Sequence, residues 1–201
     1  LKLISRMQPF VTLSVDTFRA EIAVRAVTEC GAHIINDISG GEGDSNMFRV
    51  VEKLNVPYIM MHMKGNPRTM QNNPVYDDIV ADLLSWFGDR IYRLRSAGVK
   101  DIIIDPGFGF GKTAEHNFEM LRRLNDFSIA GLPLLVGVSR KSMIWKTLSV
   151  TADEALNGTS VLNAIALANG ADILRVHDVK EAVEAVKLIT KLKGLKSEDR
   201  S

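Results

Sequence analysis

Three polar side chains interrupt or close β-branched runs of this sequence. Asp16 follows Val11–Val15, Asn36 lies within His33–Ile38, and Asp105 closes the isoleucine run Asp101–Asp105. A carboxylate at a buried strand end costs free energy unless donors reach it. Two carboxylates and one amide suit a flat heterocycle rich in N–H donors: carboxylates accept from a guanidine-like edge, and an amide both donates and accepts. Each could instead cap the helix that follows. For Asp16 alone the cap reading is as good as the functional one. For the three together it weakens, because adjacent parallel strands bring their ends into one pocket.

A second set is cationic. Val138-Ser-Arg-Lys-Ser-Met143 puts two cations and two hydroxyls after an apolar strand and at a helix start, where backbone N–H groups can receive an anion. The plain alternative is a solvated loop. Arg175 and His177 alternate, so both share one face of the last strand. An arginine inside an apolar strand is seldom structural without a partner. The pair suggests phosphate or pyrophosphate binding, as at the sites after the last two strands of a TIM barrel.

Other motifs exclude chemistry. In Pro106-Gly-Phe-Gly-Phe-Gly-Lys-Thr113 the first glycine of a Walker A loop is replaced by Pro106, and the alternating Gly107, Gly109 and Gly111 do not fit a dinucleotide fingerprint. The loop reads as a tight turn. His62 has no second histidine or cysteine at metal spacing, so zinc is not expected there. His33 and His116 read as ordinary core or surface positions. Cys30, the single cysteine, reads as a small packed residue and leaves no internal disulfide.

The elements that position these residues alternate. Strands are expected at Val11–Val15, His33–Ile38, Pro57–His62, Asp101–Asp105, Pro133–Gly137 and Asp172–His177. Helices are expected at about 20–29, 47–54, 77–97, 115–124, 153–169 and 179–192, with a short one opening within 139–148. Loops are expected at Ser39–Ser45, Met63–Val75 and Pro106–Thr113, and a charged, frayed tail at Lys196–Ser201. Units of about 25–35 residues predict a parallel sheet covered by helices. The continuously apolar strands predict burial on both faces. Polar residues recur at nearly every strand end rather than at one switch point, which favours a barrel over an open sheet. Asp16, Asn36, Asp105, Lys141, Arg175 and His177 are all expected at one end. About six βα units are counted, against eight in a TIM barrel.

A chain of 201 residues fits one domain, and a formal net charge of +1 argues against bulk binding to nucleic acid or to an anionic membrane. No apolar run is long enough to span a bilayer, and no basic-then-apolar leader is present, so a cytoplasmic protein is expected.

Six blocks in order resemble dihydropteroate synthase. They are Val15-Asp-Thr17, Ile34-Ile-Asn-Asp-Ile-Ser39, Met61-His-Met-Lys-Gly-Asn-Pro67 running on to Thr69-Met-Gln71, Asp105-Pro-Gly-Phe-Gly-Phe-Gly-Lys112, Gly137-Val-Ser-Arg-Lys-Ser-Met143 and Arg175-Val-His-Asp-Val179. The resemblance implies a TIM (β/α)8-type barrel, usually a homodimer. It implies a transferase of folate biosynthesis that joins 6-hydroxymethyl-7,8-dihydropterin pyrophosphate to p-aminobenzoate, uses Mg²⁺ and is the sulfonamide target. By matched motif, Asp16, Asn36 and Asp105 hold the pterin's donor edge and Lys141 contacts its O4/N5 side. Met61, Phe110 and Gly137 line the ring slot. Arg175 and His177 bind pyrophosphate, and Ser142 helps seat the p-aminobenzoate carboxylate. Asp16 and Lys141 are the implied catalytic residues.

The family also begins with two βα units whose Asn-Val-Thr-Pro-Asp-Ser-Phe-like and Glu-Ser-Thr-Arg-Pro-like motifs do not occur here. The resemblance therefore implies a single pterin-binding barrel domain over residues 1–201 that is truncated at its N-terminus, lacks the family's Mg²⁺ contact and turns over little by itself. The alternatives are a pterin-binding methyltransferase on the same barrel, which would not need the Ser139–Ser142 block or the Arg175 and His177 pair, and a non-catalytic pterin-binding fragment.

Overall fold

The structure, a computed structural model, describes residues 11–65 and 74–194. Pro67 and Thr69–Gln71 of the third motif, and the tail Lys196–Ser201, lie outside the described residues. The chain divides into two compact units, one of Leu1–Met63 and Ala81–Gly107, the other of Lys64–Val80 and Phe108–Ser201.

The first unit carries a four-stranded parallel sheet in chain order: β1 (Ser14–Asp16), β2 (Ile34–Asp37), β3 (Tyr58–Met61) and β4 (Ile102–Asp105). The register sets Asp16 opposite Asn36 and Met61 opposite Asp105, so the polar positions lie at the C-terminal ends. Between the strands run α1 (Ala20–Thr28), α2 (Met47–Leu54) and α3 (Ile79–Ser96). Helix α1 buries Ala20, Ala23 and Ala26 at helical spacing. The small residues let it lie close to its neighbours, and its Ile22 and Val27 are only half-buried. Tyr58, Met60, Phe87, Leu94 and Ile104 are fully buried. Removing each such side chain from water stabilises the fold by about 1.5–3 kcal/mol.

The expected burial on both faces holds for β2 and β3, whereas β1 exposes Ser14 and Asp16. Among the described residues β1 pairs on one side only, with β2. Its ladder starts at Ser14 rather than Val11, because pairing begins where Ser14 meets Ile34.

The second unit holds a two-stranded parallel sheet, β5 (Leu135–Val136) and β6 (Ile173–Leu174). Its helices are α4 (Ala114–Arg122), α5 (Ser142–Leu148), α6 (Leu156–Ala168) and α7 (Val179–Leu192), with a 3₁₀ helix at Leu124–Ala130. Thr113 and His116 form a reciprocal capping box that starts α4. Both strands are shorter than their apolar runs. The Arg175 N–H still donates to the Val136 carbonyl at 2.9 Å, so Arg175 sits just past the strand rather than inside it.

Candidate functional site: polar side chains at the strand ends

In the first unit the structure settles the competing cap readings. Helix α1 is preceded by Arg19, α2 by Asn46 and α4 by Thr113, so none of Asp16, Asn36 and Asp105 is a helix cap. The Ala20 N–H that begins α1 donates instead to Asp44 Oδ2 at 2.9 Å, a cap brought in from the glycine-rich loop. That bond and one from Asn46 N–H hold the Asp44 carboxyl below its ordinary range.

Asn36 is buried, and its Nδ2 donates to Asp16 Oδ1 at 2.7 Å. Its Oδ1 is buried without a hydrogen-bond partner among the described residues. A buried acceptor left unmet is costly, and here it lies beside a carboxylate at a strand end. Asp16 also borders an open cleft of about 300 Å³ lined by Thr17, Phe18, Arg19, Ile22 and Ile38. Asp105 is fully buried at the end of β4, and its Oδ1 accepts the Gly107 N–H at 2.8 Å. Met61, opposite it, is also fully buried.

Asp37, next to Asn36, has a different fate because successive strand residues face opposite ways. It accepts from Ser39 N–H, Ser39 Oγ, Gly41 N–H and Tyr58 Oη, which pins the glycine-rich loop to the sheet. Burial, then the Asp37 charge and hydrogen bond, push the Tyr58 hydroxyl well above its ordinary range against a smaller opposing pull from Arg90. His62 packs edge-on against Trp86 with ring centroids 4.9 Å apart.

The second unit gathers the cations. Lys141 immediately precedes α5, and its ammonium donates to the Phe108 carbonyl and lies 4.8 Å from the centre of the Phe110 ring. Gly109, at φ +82°, passes under this side chain: a Cβ there would stand 3.2 Å from Lys141 Cδ. The Arg175 guanidinium lies against Gly137, where a Cβ would stand 3.2 Å from Nη2. A Cβ at 137 would require the guanidinium to give by a few tenths of an ångström. His177 is exposed, and its Nδ1 lies 2.9 Å from Ser139 Oγ. Ser142 is exposed as the first residue of α5.

Arg140 does not join this cluster. Its guanidinium makes a two-pronged bond to Asp178, Nε to Oδ2 at 2.9 Å and Nη2 to Oδ1 at 2.8 Å, and its Nη1 donates to the carbonyls of Ala152 and Asp153. The bond to Arg140 holds the Asp178 carboxyl below its ordinary range and raises the guanidinium. Sequence reasoning had no access to this clasp, nor to the Ser139–His177 bond. Each joins residues 38 positions apart, with no periodic pattern to announce the pairing. Among the described residues no three of His, Cys, Asp and Glu gather where they could hold a metal ion.

The fold and the strand-end clusters define a parallel α/β protein of the TIM-barrel class, with acceptors in one unit and cations in the other. The pterin binding enzyme family matches residues 1–177, and the chain belongs to that family. Among curated relatives, dihydropteroate synthase of Escherichia coli K12 is 45% identical over 181 residues, covering 89% of this chain and 64% of that protein. The chain thus spans just under two thirds of that relative's length. The Yersinia pestis dihydropteroate synthase, solved with a sulfonamide drug complex, superposes with a TM-score of 0.92 at 38% identity, over 97% of this chain and 72% of that one. The Thermus thermophilus enzyme, solved with 4-aminobenzoate, gives 0.90 at 36% identity, over 95% and 75%.

Proposed function

We propose that the protein is a dihydropteroate synthase. It joins 6-hydroxymethyl-7,8-dihydropterin pyrophosphate to p-aminobenzoate and releases pyrophosphate. The observation that carries this reading is the Asp16–Asn36 pair, whose buried amide oxygen has no donor among the described residues. A pterin's N–H edge supplies that donor, and Asp16 and Asp105 supply acceptors for its remaining hydrogens. By the family's motifs, Met61, Phe110 and Gly137 are the residues that line the ring slot.

In this reading the C–O bond between the pterin methylene and the pyrophosphate breaks first, and the bonding pair leaves with the pyrophosphate. Arg175 and His177 receive that anion, where charge-assisted bonds are strongest. The methylene carbon becomes cationic and is stabilised by the Asp16 carboxylate. Lys141 holds the O4/N5 side of the ring. The lone pair of the aryl amine forms the new C–N bond, and its proton passes to solvent. Ser142 helps seat the p-aminobenzoate carboxylate, and a sulfonamide competes there.

Mg²⁺ would accompany the pyrophosphate. Among the described residues no three of His, Cys, Asp and Glu gather to hold it. A cytoplasmic setting belongs to the same proposal; among the described residues no helix is long and apolar enough to cross a membrane. So does a homodimer, the usual assembly of the family that the sequence resembles. A coupled pyrophosphate-release assay on the intact protein tests the reaction. Release that requires p-aminobenzoate separates a synthase from a methyltransferase or a pterin-binding module.

A further inference from the structure

Ser139 stands apart from the residues that meet substrate in the proposed reaction, yet both of its side-chain hydrogen bonds go to one of them. Ser139 is buried, the His177 backbone N–H donates to its Oγ at 3.2 Å, and His177 Nδ1 lies 2.9 Å from the same oxygen. A hydroxyl has one proton and two lone pairs. The backbone N–H occupies one lone pair. If Nδ1–H filled the other, the hydroxyl proton would need a further acceptor, and Oγ has no partner outside His177 among the described residues. A buried donor without an acceptor is disfavoured. The proton therefore goes from Ser139 Oγ to Nδ1, and the ring proton of the neutral imidazole sits on Nε2.

We propose that Ser139 is a positioning residue that fixes His177 as its Nε2–H tautomer, so that the exposed ring edge presents a donor to an anion. This rests on the reading of His177 as a pyrophosphate group. The neighbouring rung strengthens it. Arg140 and Asp178, each one residue further along, join the same loop to the same turn through two hydrogen bonds. The Arg140 backbone N–H also donates to Thr159 Oγ1 at 3.0 Å, which ties the loop to α6. Two successive rungs restrain both the place of the imidazole and its rotation, as a bound group needs when its tautomer matters.

The test reads the ring nitrogens directly. In the intact protein labelled with ¹⁵N-histidine at about pH 8, where an ordinary imidazole is neutral, His177 is expected to show a bare Nδ1 and a protonated Nε2. Ser139→Ala is expected to give a mixture of tautomers, and Ser139→Thr, which keeps the hydroxyl, to restore the single form. Titration with inorganic pyrophosphate is expected to show about tenfold weaker binding in Ser139→Ala, recovered in Ser139→Thr. A protonated Nδ1 in the wild-type protein overturns the proposal, and that reading stands even if Ser139→Ala does not fold. Identical ring shifts in wild type and a folded Ser139→Ala also overturn it. Tautomer selection by Ser139 in a wild-type protein that binds no pyrophosphate leaves the positioning role intact and removes His177 from the anion site instead.

Discussion

Asp16, Asp37 and Asp105 each end a strand and Asp178 lies beyond the last one, and their surroundings divide them. Asp37 is saturated by four donors of its own loop and of Tyr58, and Asp178 by Arg140, so neither is set up to take a ligand. Asp16 meets a side-chain amide, and Asp105 a backbone N–H. Asp105→Asn is expected to weaken binding of a pterin analogue by about 2–4 kcal/mol, the scale for losing a charge-assisted pair in a desolvated pocket. Calorimetry checks this, with a melting curve to show that the variant is folded; unchanged affinity would remove Asp105 from the site. Arg175→Ala is expected to weaken binding of the pyrophosphate ester more than binding of the free hydroxymethyl pterin. Equal losses would make Arg175 a support of the fold. At this scale the sequence revealed residue types and strand-end placement. It could not separate Arg140 from Lys141, or Asp37 from Asn36, because that division depends on partners distant in the chain.

Helices were the more legible elements. The bounds of α2 and α7 agree with the expected 47–54 and 179–192, since amphipathic periodicity and terminal residues are local signals. Strand lengths were less so. The apolar runs Pro133–Gly137 and Asp172–His177 pair over two residues each, because pairing is set by the partner strand and not by hydrophobicity alone. The turn after β4 shows how tightly an element end is specified. Gly107 has φ +70°, and a Cβ there would collide with the His62 carbonyl oxygen. Gly107→Ala combines a left-handed backbone penalty of about 1–2 kcal/mol with that clash. It is expected to lower the melting temperature by at least about 2–8 °C for a chain of this size. Gly131, also left-handed at φ +60° but with nothing near its Cβ position, is the control for the backbone term alone. Equal losses at the two positions would contradict the packing argument.

For the molecule as a whole, several carboxylates sit below their ordinary values in the folded state: Asp178 through Arg140, Asp44 through the backbone N–H of Ala20, and Glu154 through the N–H of Thr151. Ordinary carboxyls titrate near 3.8 for aspartate and 4.5 for glutamate, so between the lowered folded values and these ordinary ones the unfolded chain binds more protons. The stability they contribute is fully present above the unfolded values and is lost as pH falls through the folded ones. Melting temperature is expected to fall below about pH 4, modestly, because these groups are at least partly exposed and screened by solvent. The drop should be shallower in Asp178→Asn, which should start lower at neutral pH. Parallel wild-type and variant curves would mean that the Arg140–Asp178 clasp does not carry this dependence.

Steady-state pyrophosphate release by the intact protein bears most directly on the proposed condensation of a dihydropterin pyrophosphate with p-aminobenzoate. One pyrophosphate per dihydropteroate formed is expected, with no release without p-aminobenzoate beyond background and a loss of about 30- to 1000-fold in kcat/KM for Asp105→Asn, the rate equivalent of about 2–4 kcal/mol. Pterin binding with no p-aminobenzoate-dependent release, or a folded Asp105→Asn variant turning over at the wild-type rate, would contradict it.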